Sequence, residues 1–345
     1  MTDGAAALPG AGALAAHSAA ADPSAVAALL HAHWGLAGRL TPVAGERDSN
    51  FRLDSADAQY LVKVTHPDEN LRAVAAQCAV LEHVQAVAPT LPVQRAVQTR
   101  DGAAMVIYPP DPRRRVRVTA YLPGTLRRDT PWQPALAGAI GATAAELAHA
   151  LRAFAHPGAE QRLLWDLRQA QALRPLLTHL ADDPLRDTVS VVLDRHARIL
   201  DGLAGLPDQP IHNDLNPTNL LVSADGESLI GVLDFGDMIV APAVVDLAIA
   251  CAYLTDAPDL VGAIHDCVAG YAVVTPLNAL ERAVLPDLIA TRWAMTVLIT
   301  EWRSRLQPDN AAYILRNNPA SRRGLTALSG DGGRRLRTLV TEGSR

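Results

Sequence analysis

Three oxygen-bearing side chains fall within one short stretch: Asp214, Asn219 and Asp234. The first two lie in Ile211-His212-Asn213-Asp214-Leu215-Asn216-Pro217-Thr218-Asn219-Leu220-Leu221-Val222, the third in Leu229-Ile230-Gly231-Val232-Leu233-Asp234-Phe235-Gly236-Asp237. These residue types suit phosphoryl transfer. That reaction needs a carboxylate to orient the attacking hydroxyl, oxygen ligands for Mg²⁺, and a cation on the phosphates. Magnesium takes hard oxygen donors, so Asn and Asp serve where His and Cys would not. Asp214 and Asn219 sit five residues apart in a loop broken by Pro217. Two apolar runs joined at Asp225-Gly226 then read as a hairpin that brings Asp234 back beside Asn219.

The chain supplies one conspicuous cation. It has 30 arginines and a single lysine, Lys63. A compact ammonium on a flexible stem does what a flat guanidinium fork cannot. The plain alternative is a surface lysine that survived by chance. Its setting favours a role, because Tyr60-Leu61-Val62-Lys63-Val64 reads as a strand.

The elements that would position these groups follow the hydrophobic period. Residues 1–22 are Ala- and Gly-rich and read as a mobile tail. Ser24–Leu36 reads as a helix with Ser24 as a candidate N-cap. Gly45–Phe51 reads as a polar turn between strands, and Glu69–Val87 as a helix with Leu71, Val74, Cys78 and Leu81 on one face. Ala103–Tyr108 and Val116–Leu122 read as further strands. From Pro134 the pattern is mainly helical. The order is α+β rather than alternating βαβ. Two lobes are expected, 23–122 and 123–330, with a flexible terminus at 331–345.

Bulk properties narrow the function. A net charge of −5 argues against a dedicated nucleic-acid binder. The Arg113–Arg117 run reads as a solvated turn beside a strand. Cys78, Cys251 and Cys267 form no CxxC, so a disulfide framework or zinc site is not expected and a reducing cytoplasm fits. No secretory signal and no uninterrupted spanning stretch is evident. The oligomeric state is open.

His-x-Asp-x-x-x-x-Asn followed by Asp-Phe-Gly-Asp resembles the aminoglycoside phosphotransferase and choline-kinase-like family, relatives of protein kinases. The resemblance implies a bilobal protein-kinase-like fold, with an antiparallel N-lobe sheet and one helix, and a larger, mainly helical C-lobe. It implies that Asp214 is the catalytic base, that Asn219 and Asp234 hold Mg²⁺, and that His212 braces the loop. Lys63 falls where the phosphate-binding lysine belongs, and Thr119 and Tyr121 where a hinge strand meets the nucleotide base. Ser49 and Asn50 are either phosphate donors or only turn formers. In kinase-like folds the lysine pairs with a helix glutamate; the matching position here is Gln77, an amide.

A narrower similarity is to the hydroxylysine kinase branch. It rests on Gly45–Phe51, Asp234–Met238, Asp246–Ala250, Arg292–Val297 and Trp302–Arg303. It implies transfer from ATP or GTP to the hydroxyl of an amino-acid-like substrate, 5-hydroxylysine first. A diamino acid needs acids for its ammonium groups and a cation for its carboxylate. Asp237, Arg292 and Arg303 are candidates for these contacts, with Trp293 and Trp302 as pocket walls. Homoserine, choline and aminoglycosides remain as acceptors within the same fold. A reading of another class is an inactive nucleotide-binding module, which would be expected to lose part of the set Asp214, Asn219, Asp234 and Lys63.

Overall fold

The computed structural model describes residues 19–43, 45 and 47–342. Most of the expected tail, Ala44, and one position of the expected Gly45–Phe51 turn, Glu46, lie outside them. The N-terminal lobe opens with α1 (Pro23–Leu29), which runs into a π-helical turn at Leu30–Trp34. Its cap is Asp22, whose Oδ1 accepts from the Ser24 N–H, so the helix starts before the expected Ser24. Pro23 fits the first turn because its missing N–H would have no partner there.

The sheet that follows contains β1 (Arg39–Val43), β2 (Ser49–Asp54) and β3 (Gln59–Val64). After α2 (Leu71–Val87) come β4 (Ala96–Val97), β5 (Val106–Ile107) and β6 (Arg115–Ala120). The spatial order is β1-β2-β3-β6-β4, with β5 also on β6, and every pairing is antiparallel.

Register decides which side chains reach the cleft. Asn50 pairs with Lys63 and Lys63 with Arg117, while Phe51 pairs with Val62 and Val62 with Val118. Side chains alternate across a strand. Phe51, Leu53, Val62, Val64, Val116 and Val118 are therefore buried on one face, against Val26, Leu30 and Trp34. Asn50, Lys63, Arg117 and Thr119 share the other face. So α1, within the expected Ser24–Leu36 helix, covers the outer face of the sheet, and with α2 gives this lobe two helices where the resemblance implied one.

Residues 19–22 are tied down rather than free. Ala21 N–H donates to Ser49 Oγ and Asp22 N–H to the Tyr108 hydroxyl. The arginine run is also not simply solvated. Arg114 is 4% exposed and donates to Thr65 O, Ala19 O and Ser49 Oγ, and Arg117 is 8% exposed. A guanidinium has several donors, so one buried arginine can satisfy three backbone or hydroxyl acceptors at once.

The chain crosses to the larger lobe between Tyr121 and Gly124. Past the crossing, β7 (Thr125–Leu126) already pairs with residues of the larger lobe, Thr125 with Val222 and Leu126 with Leu221. Gly124 has φ 155°, and a Cβ there would come within 3.0 Å of Ile230 Cδ1.

The larger lobe is built on α3 (Ala135–Leu151) and α4 (Asp183–Ala204), with a 3-10 segment at Leu167–His179 between them. Then come β8 (Asp208–Ile211), β9 (Leu220–Val222), β10 (Leu229–Val232) and β11 (Ile239–Pro242). The remainder is helical: α5 (Val244–Ala252), α6 (Leu260–Val274), α7 (Ala279–Leu306), α8 (Ala311–Ile314), α9 (Asn318–Ala327) and α10 (Asp331–Glu342). Helix α3 lies almost against α6, since a Cβ on Gly141 would stand 1.8 Å from Cys267 O.

Helix α7 is the axis of this lobe, 28 residues and so about 42 Å long. It is the one described helix long and apolar enough to cross a membrane, and 94% of its apolar window is buried by the rest of the chain. The terminus expected to be flexible is instead helical through 342. Leu336 and Val340 are buried, and Arg337 pairs with Asp287 of α7 at 3.2 Å. An amphipathic face on α10 holds it down where sequence composition suggested fraying.

Candidate active site

The site forms where strand ends of the larger lobe meet the cleft face of the N-terminal sheet. After β8 the chain turns through Asn213 in left-handed backbone, φ 64°. Asn tolerates that region better than most residues. Asp214 follows, and the loop then folds on its own side chains. Asn216 Oδ1 accepts from Thr218 N–H and Oγ1, and its Nδ2 donates to Asp214 Oδ1 at 2.8 Å. Asn219 Nδ2 donates to Asp214 Oδ2 at 2.7 Å and to Asp214 O at 3.0 Å. A carboxylate only accepts, so the nitrogen of the Asn219 amide must face Asp214. Its amide oxygen takes no part in those two bonds.

The β9–β10 hairpin returns the chain through Gly226, at φ 77°. Leu233 N–H donates to Asn219 O at 2.8 Å, which sets Asp234 next to Asn219. Asp234 also has left-handed backbone, φ 62°. Its Oδ1 accepts from Gly236 N–H, and Lys63 Nζ stands 3.0 Å from its Oδ2. The Lys63 ammonium, with the Arg117 guanidinium behind it, holds the Asp234 carboxyl well below the usual carboxylate range. The structure thus brings Asp214, Asn219, Asp234 and Lys63 to one place.

His212 and Asp246 lock the loop from behind. His212 Nδ1 accepts from Asp214 N–H at 3.2 Å and its Nε2 meets Leu233 O at 2.9 Å. Those partners fit the Nε2–H tautomer, bridging the Asp214 loop to the Asp234 segment. The ring packs on Phe235 at 4.7 Å. Asp246 opens α5 at 1% exposure and accepts the backbone N–H groups of His212 and Asn213 at 2.8 and 2.6 Å. Burial pushes its carboxyl above the ordinary value, against His212 and those two bonds.

Behind the lysine, a narrow slot is lined by Gln77, Gln94, Arg117 and Thr119 together with Lys63 and Asp234. Gln77 lies where a glutamate was the usual expectation, and the lysine's ion pair is with Asp234. Gln94 joins the halves: its Oε1 accepts from Asp234 N–H and its Nε2 donates to Thr119 Oγ1, both at 3.4 Å. Thr119 thus faces the cleft. Tyr121 lies at the crossing with its ring under the Arg52 guanidinium at 5.9 Å. Asn50 shares the Lys63 face. Ser49 does not, because alternation turns it to the outer face, where its hydroxyl accepts from Ala21 N–H and Arg114.

On the other side of Asp214 stands Arg292 of α7. It is 2% exposed, lies between the rings of Trp165 (4.9 Å) and Tyr253 (5.6 Å), and its Nη2 is 3.4 Å from Asp214 Oδ1. Burial works against the charge, but Tyr253, Asp214 and Asp237 outweigh it and raise the arginine above its ordinary value. Asp237 is thus near enough to act on Arg292.

The other late candidates lie elsewhere. Trp293 is 1% exposed, donates to Ala252 O at 2.6 Å and packs against Gly324, which makes it core. Adjacent helix positions point about 100° apart, and here Trp293 turns to Ala252 and Gly324 while Arg292 turns to Asp214. Trp302 is likewise buried, and Arg303, eleven positions past Arg292, is about 16 Å further along the axis. Trp165, Tyr253 and Gln94 had no sequence signal, since each sits in a segment with no motif of its own; Arg117 stands in the arginine run, which from sequence reads as solvated. Asn216 stood inside the motif but had no assigned part.

A phosphate-handling cleft between a small antiparallel lobe and a helical lobe is the arrangement of a kinase that acts on small molecules. The phosphotransferase enzyme family matches residues 39–283, and the chain belongs to it. It is 28% identical over 305 residues to hydroxylysine kinase of Danio rerio, covering 84% of each chain. It is 26% identical over 311 residues to that of Mus musculus, covering 80% of this chain and 81% of the relative. In fold it is similar to a microcompartment-associated aminopropanol kinase, with TM-score 0.66, 19% identity, and 91% and 100% of the two chains covered. It is also similar to amicoumacin kinase in complex with AMP-PNP, Ca²⁺ and Ami, with TM-score 0.64, 16% identity and 94% of each chain covered. The protein is a small-molecule kinase of protein-kinase-like fold.

Proposed function

We propose that this kinase moves the terminal phosphate of ATP or GTP to the side-chain hydroxyl of a zwitterionic amino-acid-like acceptor, with 5-hydroxylysine the best fit. The observation that carries the acceptor class is Arg292, a buried guanidinium 3.4 Å from Asp214 with Asp237 close by. A polycation would gain nothing from a buried arginine beside the transfer point. A carboxylate would gain a charge-assisted, potentially bidentate contact. The names of the curated relatives agree with that class.

In this reading Asp214 orients the acceptor hydroxyl and takes its proton. Lys63 and Asn50, together on the cleft face, hold phosphate oxygens. Thr119 and Tyr121 flank the nucleotide base. Asn219, through its free amide oxygen, and Asp234 would hold magnesium, and these hard oxygen donors fit that ion. Such an ion would supply positive charge against the negative charge that develops in the transition state. Asp237 receives an ammonium group, Arg292 the carboxylate, and His212 fixes the loop that carries Asp214. The lobes divide near 122. A cytoplasmic enzyme without a nucleic-acid or membrane partner fits three free, buried cysteines and the net charge of −5.

The test is transfer from ATP and from GTP to 5-hydroxylysine, homoserine, choline, ethanolamine and an aminoglycoside, read by mass of the product. Preference for 5-hydroxylysine is expected. A preference for choline or an aminoglycoside would remove the carboxylate role of Arg292.

A further inference from the structure

Asp214 is already engaged on the side from which an acceptor must come. Its Oδ1 takes Asn216 Nδ2 at 2.8 Å and Arg292 Nη2 at 3.4 Å, and its Oδ2 takes Asn219 Nδ2 at 2.7 Å. An ionised carboxylate offers about four acceptor positions. Both positions on Oδ1 are therefore filled.

The three donors differ in kind. Asn216 and Asn219 belong to the same loop as Asp214. Arg292 comes from α7, and its bonds are the long ones: 3.3 Å to Trp165 O, 3.3 Å to Tyr253 Oη and 3.4 Å to Asp214. Its Nε has no partner among the described residues. A buried guanidinium with long bonds and an unpaired donor gains free energy by taking a carboxylate at close range.

We infer that Arg292 gates the base: it occupies Asp214 Oδ1 until the carboxylate of the acceptor draws its guanidinium away. This rests on the reading that the acceptor carries a carboxylate. In the resting site Oδ1 cannot orient a water molecule at the terminal phosphate, which leaves only the second position on Oδ2, so transfer to water is restrained. When the acceptor binds, its carboxylate takes Arg292 and its hydroxyl takes the vacated position on Oδ1. The hydroxyl oxygen then bonds to the terminal phosphorus. The bond from that phosphorus to the bridging oxygen breaks, and the nucleoside diphosphate leaves with the electron pair. The hydroxyl proton passes to Asp214. If water replaced the hydroxyl, the same bonds would change and the products would be inorganic phosphate and the nucleoside diphosphate.

Lysine is the probe for the gate. It carries the carboxylate and both amines of 5-hydroxylysine but lacks the hydroxyl, so it leaves room for a water there. 1,5-Diaminopentane keeps the amines and lacks the carboxylate. Nucleoside diphosphate release without acceptor is measured in the full-length enzyme. Lysine is expected to raise it about tenfold, a part of the roughly 10²–10⁴ that a positioned base contributes. 1,5-Diaminopentane should leave it unchanged. Arg292→Met should show the raised rate with no addition, and lysine should add nothing to it. Arg292→Lys, whose ammonium cannot span both Tyr253 and Asp214, serves as a second variant if the first folds poorly.

Two results would overturn the gate. One is lysine that competes with the acceptor yet leaves nucleotide hydrolysis at its resting rate. The other is a folded Arg292 variant whose acceptor-free hydrolysis equals that of the wild type at saturating nucleotide. Failure of the acceptor reading looks different. Then 5-hydroxylysine is not phosphorylated and lysine does not compete, while the hydrolysis rate of the Arg292 variants still decides whether the arginine restrains the base.

Discussion

Lys63 Nζ stands 3.0 Å from Asp234 Oδ2, though the two residues are 171 positions apart in the chain. The only lysine of the protein thus meets the carboxylate proposed to hold the metal. The contact is a point charge on one oxygen, and a planar fork needs more room and a different approach. Lys63→Arg should therefore lose kcat/KM although charge is kept. A charge-assisted hydrogen bond contributes about 1.5–3 kcal/mol, so the loss should be roughly 10- to 100-fold. Steady-state kinetics with nucleotide varied would check it, and an unchanged kcat/KM would remove Lys63 from the phosphate site.

The same pair has a signature in pH. The Lys63 ammonium holds the folded Asp234 carboxyl below its ordinary value, while in the unfolded chain that carboxyl titrates near about 4. A depressed folded value means the stabilisation is complete above the unfolded value and is lost as pH falls through the folded one. The difference in unfolding free energy between wild type and Lys63→Met should be flat from about pH 5 to 8 and shrink below about pH 4. Urea titrations across that range would show it. A difference that changes between pH 6 and 8 would mean another group controls it.

Asp214→Asn keeps the shape of the side chain and removes the proton acceptor. The variant can keep one of the Asn216 and Asn219 bonds and must set an amide N–H against the other donor, while the Asp246 brace and Lys63 are untouched. The rate of transfer should fall by roughly 10²–10⁴, with nucleotide affinity nearly unchanged. Single-turnover transfer beside a nucleotide-binding titration separates the two effects. Wild-type transfer in the variant would take the base role from Asp214.

Much of this site was legible in the sequence, and the physical reason is locality. Asp214, Asn219 and Asp234 occupy one stretch whose loop, hairpin and turn residues follow local rules, so their convergence could be read from spacing. Lys63 stood out because it is the single lysine beside 30 arginines. Ser49 could not be placed that way, since facing the cleft or facing α1 depends on a one-residue strand register. Arg292 and Trp293 were equally plausible as pocket residues, because an α7 buried all round carries no amphipathic stripe to say which side faces Asp214. Trp165 and Tyr253 meet Arg292 only through tertiary packing. The segment from 331 was misread because its many Gly and Arg residues hide the two buried positions, Leu336 and Val340, that hold it.

Asp246 supports the loop without touching reactants. Its two oxygens accept the N–H groups of His212 and Asn213, the turn that aims Asp214. Asp246→Asn can keep one of those bonds and must set an amide N–H against the other. A buried unsatisfied group costs about 1–3 kcal/mol, which should lower the thermal midpoint and reduce kcat, with the KM for nucleotide little changed. A variant with lower stability and full kcat would show that the loop holds its shape without this brace.

Trp293 and Arg292 are neighbours in sequence with opposite surroundings, which allows a paired test. The Trp293 indole fills the space against Gly324, and its N–H bonds to Ala252 O at the end of α5. Trp293→Phe leaves that carbonyl unpaired and removes packed volume, at a cost of about 1–3 kcal/mol. Because the ring does not reach Asp214, the KM for the acceptor should stay within about twofold of the wild type, below the threshold that a lost hydrogen bond to ligand would produce. Arg292→Lys should do the reverse, with a small change in midpoint and a large rise in acceptor KM. Thermal melts and acceptor kinetics on the two variants would check this. If Trp293→Phe raised the acceptor KM tenfold with no change in midpoint, the ring would belong to the pocket after all.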